Sequence, residues 1–541
     1  MTAVPTVRRV FGDGPFAEIG RPRAAVADDR SDLVAVGGHV GRLQWNGRGS
    51  GDRRWIEHRI GVYERDGLRC RHLVPSREEV NCLAFHPVLP LLAVGTGGYD
   101  GGYSFTGELL LVRLDTGEAV SVLPYPREVV RVEWQSPTAL RLTLAPCDDW
   151  QDPGAHRQAH TAVIERPDWA RVGHQGVAAA ELNAPAAEFD RADPGPDARR
   201  ILRGLAARAG REWTPRTRVG AVEALPDGRV LAALDGVLAE AWLPSGERQW
   251  AVPDAEGGRG LLLVPDRAPD AVPGAASVRA SVWANAERLR PPHRAEHPAP
   301  RVARLSADDG SVLETVPVDH PVTLVAGGDR TFLRPVEQYR GVPWTLLSPG
   351  PDGPVDGPSG TGFLHDFQVR HATRPYLLVG FDPRRPYHDK WVTTVGPDGT
   401  LRRLFPHAPE PGGPHASGPA AETGQSLVYA GTGGRSDESY VVRRSLTDGS
   451  VLWRYRADSP ATALDTDGEL VHVARNDATL VTLDAADGSV RRRTELRVHG
   501  LPTVALSLVV APAPAPGGGL YAGTADGRIL HLVPTPPAPR P

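Results

Sequence analysis

The sequence predicts an all-β protein built from short four-stranded sheets repeated along the chain. Three observations point there. First, seven segments run from an apolar residue through a few turn residues to Gly and then into a new strand: Leu114-Asp-Thr-Gly117, Leu243-Pro-Ser-Gly246, Leu305-Ser-Ala-Asp-Asp-Gly310, Leu347-Ser-Pro-Gly-Pro-Asp-Gly353, Val395-Gly-Pro-Asp-Gly399, Leu446-Thr-Asp-Gly449 and Leu483-Asp-Ala-Ala-Asp-Gly488. Second, the later turns recur roughly 40 to 65 residues apart and the first gap spans about three such periods, the length of four short strands with their turns. Third, Gly 60 and Pro 53 are high in 541 residues and strong helical patterns are scarce, which suits many strands joined by turns. Such a sheet exposes apolar residues on both faces, so neighbours must stack about an axis to bury them. The expected fold is a β-propeller of about 8–10 four-stranded blades in one ring, with one short inserted helix.

Ten units follow one another, at 20–77, 78–125, 126–175, 217–252, 258–318, 320–358, 363–408, 414–456, 459–496 and 500–534. The clearest is 461–494: a strand, the turn Thr466-Asp-Gly468, a second strand, a turn at Asn476-Asp477, a third strand, then Asp487-Gly488 and a fourth strand. Residues 219–252 repeat the plan with their own Asp-Gly turns, which supply the positive φ that tight hairpins need. Between the third and fourth units, 176–215 breaks the pattern and predicts a helix over 197–209. There Asp197 is the N-cap, Ile201, Leu202 and Leu205 form an apolar stripe, and Gly210 is the stop. The last unit offers three strands and then a Pro-rich tail at 535–541. The β-prone run Thr6 to Phe11 supplies the missing fourth strand, pairing with Ile529 to Leu532 as a latch that protects an open edge.

Unit 78–125, with VNCLAFHP, LLAVG and ELLLVRLDTGEAVSVL, resembles a WD40 repeat without its Trp-Asp and Gly-His signatures. Units 414–456 and 459–496, with LTDGSVLWRY and LDAADGSVRRR, resemble quinoprotein-type repeats. The resemblance is to the WD40/quinoprotein-like (YVTN-type) propeller superfamily over nearly the whole chain, and it implies fold rather than function. Quinone-dependent members are exported, and many pair adjacent cysteines beside the cofactor. This chain has neither an export signal nor adjacent cysteines, so no cofactor is expected, and Trp453 is assigned to packing between blades.

Net charge is −4, so a basic surface for nucleic acid is not indicated. The N-terminus lacks a signal-peptide core, no stretch reaches transmembrane length, and the cysteines Cys70, Cys82 and Cys147 are odd in number and widely spaced. A cytoplasmic protein without membrane contact is the expectation. Lys390 is the one lysine among 61 Lys and Arg, a bias of GC-rich codons that suggests an actinobacterial source.

Function is expected on the connections between second and third strands. They are minimal in the fourth, ninth and tenth units (Asp235-Gly236, Asn476-Asp477, Asp526-Gly527) and long elsewhere, near 38–59, 96–107, 146–160, 285–300, 382–390 and 432–439. Turns between third and fourth strands stay mostly short, so one face is elaborated, as expected of a binding face on a rigid scaffold. Tyr99, Tyr103 and Phe105, with Arg384, Arg385, Tyr387 and Trp391, have the composition of protein-contact anchors. Metal is a weaker prospect. His156 and His160 are spaced i, i+4 after Asp148, Asp149 and Asp152, but Pro153-Gly154 interrupts any helix. Thr466-Asp-Gly468 and Asp308-Asp-Gly310 lack the alternating acids of calcium loops, and the Gly-rich stretches at 95–98 and 431–434 are not followed by a phosphate-binding helix. No nucleophile elbow or catalytic triad is assignable. The expected function is a non-catalytic scaffold binding a protein partner. The alternative is a propeller hydrolase or lactonase with a metal in the central channel.

Overall fold

The computed structural model describes residues 5–41, 58–150, 152–190, 193–255, 257–265, 280–286, 301–318, 321–328, 330–335, 344–349, 355–396, 399–408, 415–433, 439–512 and 519–534. Among the described residues stand ten sheets of four or five strands, the repeated β-propeller unit. Each sheet has a core of four antiparallel strands, called a to d in order across the sheet. In the ninth sheet these are Ala461–Thr466, Leu470–Arg475, Thr479–Asp484 and Val490–Glu495.

The glycines that mark the repeat close the c–d turns. Gly117, Gly310, Gly449 and Gly488 adopt φ between 73° and 77°, the left-handed region that any side chain would strain. A second constraint acts at the same residues, because a side chain from strand d of the preceding sheet rests on them. A Cβ on Gly488 would lie 2.7 Å from the Trp453 ring, and one on Gly310 would lie 2.6 Å from the Trp250 ring. Both indoles donate to a carbonyl just before that glycine, Trp453 Nε1 to Ala485 at 2.8 Å and Trp250 Nε1 to Ala307 at 3.4 Å. Trp453 therefore packs between sheets, as its place in the repeat implied. A one-residue bulge precedes each docking residue, aiming it outward from the ladder.

The tenth sheet has Ala505–Val510, Leu520–Thr524 and Ile529–Pro534, and its strand d is Pro5–Phe11 from the other end of the chain. The register runs Thr6 to Val533, Val7 to Leu532 and Phe11 to Ile529, with the same bulge one residue before Arg9. The latch strand thus sits where the sequence places it.

The ten sheets fall into two compact units. One comprises the described residues of 1–12 and 218–541, seven sheets. Successive sheets share apolar cores: Leu238 and Ala239 with Val282 and Leu305, Val302 with Leu324, Phe332 with Leu377, Tyr376 with Tyr429, Val428 with Val471, and Leu480 with Leu508. Phe11, Tyr521 and Ile529 of the tenth sheet share a core with Val222, Val230 and Trp242 of the fourth.

The other unit comprises the described residues of 13–43 and 55–217, three sheets. Its first sheet is covered on one side by the helix Gly195–Arg208, whose Leu202, Leu205 and Ala206 pack on Val34, Val36 and Tyr63. Asp197 lies in the first helical turn rather than at the cap, which Pro194 occupies. The carboxylate there still favours the positive end of the helix dipole. The third sheet is completed by Ala186–Glu188, so part of 176–215 is strand rather than helical insertion. Arg131, Glu133, Arg141, Thr161 and Glu165, around one exposed valine, Val163, leave one side of that sheet mostly polar and exposed.

Candidate functional site

Two loops of the three-sheet unit join into one surface. After strand b of the second sheet, Gly98–Tyr99 and Phe105–Thr106 pair as a short ribbon. Its tip is an Asx turn: Asp100 Oδ1 accepts from the N–H groups of Gly102, Tyr103 and Ser104 at 2.7, 2.9 and 3.0 Å. These bonds hold the Asp100 carboxyl below its ordinary value. The b–c loop of the third sheet then zips onto the ribbon. Phe105 N–H donates to the Cys147 carbonyl at 3.1 Å, Asp149 N–H donates to the Tyr103 carbonyl at 3.0 Å, and Ser104 bridges Asp148. Two loops from neighbouring sheets thereby become one backbone-bonded platform, which removes much of the ordering cost of binding.

Aromatic rings cover it. Tyr103 and Trp150 are 56% and 66% exposed, with ring centroids 4.5 Å apart in an edge-to-face pair. Beneath them Tyr99 contacts Phe105 at 5.1 Å and His156 at 4.7 Å. Asp149 Oδ2 lies 2.9 Å from the Tyr99 hydroxyl and 3.1 Å from His156 Nε2, tying the two loops together. That hydrogen bond raises the Tyr99 phenol above its ordinary value.

Phe105 is 1% exposed, packed on Ala145 and Ala155. It is a floor for the platform and not a contact anchor, a correction to its expected role. Trp150 is the reverse case: its loop is one of the long connections expected to bind, its ring is not among the expected anchors, and it stands 66% exposed. His156 and His160 do not share a helix face, because Pro153–Arg157 is a 3-10 turn and the strand Gln158–Glu165 begins at once. His160 Nδ1 instead lies 2.7 Å from the Ala184 carbonyl. Among the described residues no group of three or more His, Cys, Asp or Glu is arranged to hold a metal.

The remaining predicted anchors belong to the seven-sheet unit. Arg384 and Arg385 are exposed in the loop after Tyr376–Gly380. Tyr387 is 47% exposed and leans on Phe363 and His365, with centroids 5.4 and 5.6 Å away. Trp391 is half-buried, and Arg403 lies 5.5 Å from its ring and 3.8 Å from that of Phe381. Arg403 already satisfies the π-face that a partner would need. Behind this loop burial pushes the His365 imidazole down to about 3, its Nε2 lying 2.7 Å from the Pro386 carbonyl, and pulls the Lys390 ammonium down to about 8. The long loops near 38–59 and 285–300, and most of that near 432–439, lie outside the described residues.

Acids and a histidine do converge on first strands of the seven-sheet unit. Glu223 comes from Ala221–Ala224 and Asp465 from Ala461–Thr466. Arg370 and His371 come from a segment whose Val369–Arg370 adds a parallel fifth strand beside Ala416–Thr423. Arg370 reaches Glu223 Oε2 at 3.1 Å, Asp465 Oδ1 at 3.5 Å and the Val222 carbonyl at 3.4 Å. His371 Nε2 lies 2.7 Å from Asp465 Oδ1, and Val510 N–H donates to Asp465 Oδ2 at 2.7 Å. Burial pushes both carboxyls up; at Asp465 the cations and the N–H outweigh it, and at Glu223 they do not. A guanidinium therefore stands between the two carboxylates.

Residues 388–535 match a family model described as outer membrane protein assembly factor BamB, a model of quinoprotein-type repeats. No curated protein sequence matches the chain significantly. BamB from Moraxella catarrhalis is 16% identical over 60% of this chain and 85% of that one, with a TM-score of 0.34. KlHsv2 with loop 6CD replaced by a Gly-Ser linker is 10% identical over 57% of this chain and 90% of that one, with a TM-score of 0.37. The repeats of residues 388–535 are thus of the quinoprotein-like type, as the LTDGSVLWRY and LDAADGSVRRR segments suggested.

Proposed function

We propose that this protein is a non-catalytic protein-interaction scaffold that holds its partner on the joined loops 98–106 and 146–157. The observation that carries the reading is the Tyr103–Trp150 pair. Two large rings stand exposed on a platform whose backbone is already fixed, the condition under which aromatic residues contribute most to binding. The name of the family model matched by residues 388–535, an assembly factor, supports a role in handling other proteins.

The architecture proposed with it is a seven-bladed ring with a three-blade arc inserted in sequence between the latch strand and the fourth sheet. The shared core of the tenth and fourth sheets supports closure, as do bonds from Ser507 Oγ to the Val219 carbonyl at 2.9 Å and from Val219 N–H to the Thr524 carbonyl at 3.0 Å. Arg9 approaches Gly246 as strand-d residues approach the next turn elsewhere, its Cδ 3.6 Å from where a Cβ would stand.

The second reading, a hydrolase with a channel metal, draws on Glu223, Asp465 and His371. A metal there would have to displace Arg370 from both carboxylates, and the electrostatic cost of that exchange weighs against it. The test compares the full chain with its Tyr103→Ala/Trp150→Ala variant as bait in the native host, with captured proteins quantified by mass spectrometry. The expected result is one partner lost by about tenfold or more with melting unchanged. Undiminished capture by the double variant would sink the scaffold reading at this face.

A further inference from the structure

We infer that the partner presents a basic peptide segment, and that an arginine or lysine of it seats against Trp150 and Tyr103 between carboxylates on the two loops. This deepens the scaffold reading and rests on it. The charge around the rings is one-sided. Asp100, Asp148 and Asp152 are exposed, and among the described residues none has an ion-pair partner. Their hydrogen bonds are local. Asp100 takes three backbone N–H groups at its turn, Asp148 Oδ1 takes Trp150 N–H at 3.3 Å, and Asp152 takes Gly154 N–H at 2.7 Å and the Gln158 amide at 2.7 Å. Those contacts fix where the carboxylates stand and leave their charge uncompensated. The cations of the two loops are Arg157, exposed at the far end of the 3-10 turn, and His156 when protonated, which is already engaged by Asp149.

An exposed indole edge-paired with a phenol, with the Asp100 carboxylate held on the Tyr103 N–H and that of Asp148 on the Trp150 N–H, has the chemistry of a cation receptor. The ring faces attract a guanidinium or ammonium, and the acids add a charge that steers it in. The contrast with Trp391 sharpens this. There the chain's own Arg403 lies near the indole, whereas no cation–π contact to Trp150 or Tyr103 occurs among the described residues. An apolar partner would leave the acids desolvated without compensation, and a nucleic acid would be repelled by them. A basic peptide satisfies both features at once.

The probe is a hexa-arginine peptide, with hexa-glutamate as its counterpart, titrated calorimetrically into the full chain at about 50 mM salt, well below full screening. Hexa-arginine should bind and hexa-glutamate should not. Trp150→Ala should weaken hexa-arginine binding about fivefold or more, and Asp148→Asn/Asp152→Asn should do likewise and flatten its salt dependence. The exposed acids Glu247 and Glu469 of the other unit provide the control. Glu247→Gln/Glu469→Gln should leave binding unchanged, since it alters net charge equally without touching the loops. Failure of hexa-arginine to bind, or equal losses in the loop and control variants, would overturn the inference. If native-partner capture depends on Trp150 but is indifferent to Asp148→Asn/Asp152→Asn, the scaffold reading stands and the basic partner falls. If capture ignores Trp150 altogether, the scaffold reading itself fails at this face.

Discussion

In the three-sheet unit His72 of the first sheet rests on Gly117 of the second, its Nε2 3.0 Å from the Leu114 carbonyl. In the seven-sheet unit Trp250, Phe405 and Trp453 rest on Gly310, Gly449 and Gly488 in the same way, and Arg9 stands over Gly246. Both units therefore stack sheets by one device, a strand-d side chain set on the next c–d turn. They differ in how the stack ends. The three-sheet unit has a helix over its first sheet and a mostly polar side on its third. That is how linear repeat arrays terminate, since an apolar face without a neighbour must be capped. In the seven-sheet unit the last sheet finds its neighbour in the fourth and shares a core with it. A capped stack can hold long, committed loops at its edge. A stack whose last member packs on an earlier one depends on every member for its integrity.

The strongest way to break this contrast is to remove residues 1–11. The seven-sheet unit would lose strand d of its tenth sheet together with Phe11, which is 2% exposed between Trp242 and Tyr521. The expected loss exceeds a typical stability margin of about 5–15 kcal/mol, because an edge is opened and a core is emptied. Scanning calorimetry should show the transition of the seven-sheet unit abolished while that of the three-sheet unit remains. A single unshifted transition in the truncated protein would refute both the latch and the independence of the units.

A smaller change sharpens the shared device. Trp453→Ala removes a 7% exposed indole and its bond to the Ala485 carbonyl, for an expected loss of about 3–5 kcal/mol. His72→Ala removes the counterpart in the three-sheet unit, a half-buried ring with one hydrogen bond, for about 1–2 kcal/mol. Each should lower only the transition of its own unit in chemical denaturation. A shift of both by either variant would mean that the units unfold as one.

Much of this plan is written locally in the chain. The turn glycines are legible because left-handed backbone and contact with an incoming ring both exclude side chains, as at Gly488. The N-terminal strand is legible because the last repeat lacks one. What lies hidden depends on distant partners. Ala186–Glu188 is a strand only because Gln158–His160 offers it an edge, and all three of its residues are exposed, so no apolar alternation announces it. Arg370 meets Glu223 across 147 residues, and nothing in either local sequence marks the pair. The division into two units is hidden for the same reason: each repeat encodes a sheet, and which sheets become neighbours is decided by whole faces. At the loop platform residue type was legible and exposure was not. Phe105 is an expected anchor and Trp150 is not, yet Ala145 and Ala155 bury the first while the second stands bare.

The smallest effect, and the most specific to the seven-sheet unit, concerns the pH dependence of the Arg370 cluster. The Asp465 hydrogen bond raises the His371 imidazole above its ordinary value of 6.5, burial working against it. A raised folded value stabilises the fold fully below the unfolded value and loses that contribution as pH rises through the folded one. His371→Asn tests this without straining the backbone, because φ at this position is 56° and Asn tolerates left-handed conformations. The Asn amide can still donate to Asp465 but does not titrate. The variant should therefore be less stable than the parent below about pH 6.5, and the difference should shrink toward zero as pH rises above it. Comparing parent and variant cancels the opposing contribution of Lys390, whose lowered value of about 8 adds stability on further alkalinisation. Chemical denaturation at pH 6 and at pH 8.5 measures the difference, with the three-sheet transition as an internal reference that should not respond. A deficit constant across that range would show that His371 acts through a neutral hydrogen bond, and that the charge on Asp465 is balanced by Arg370 alone.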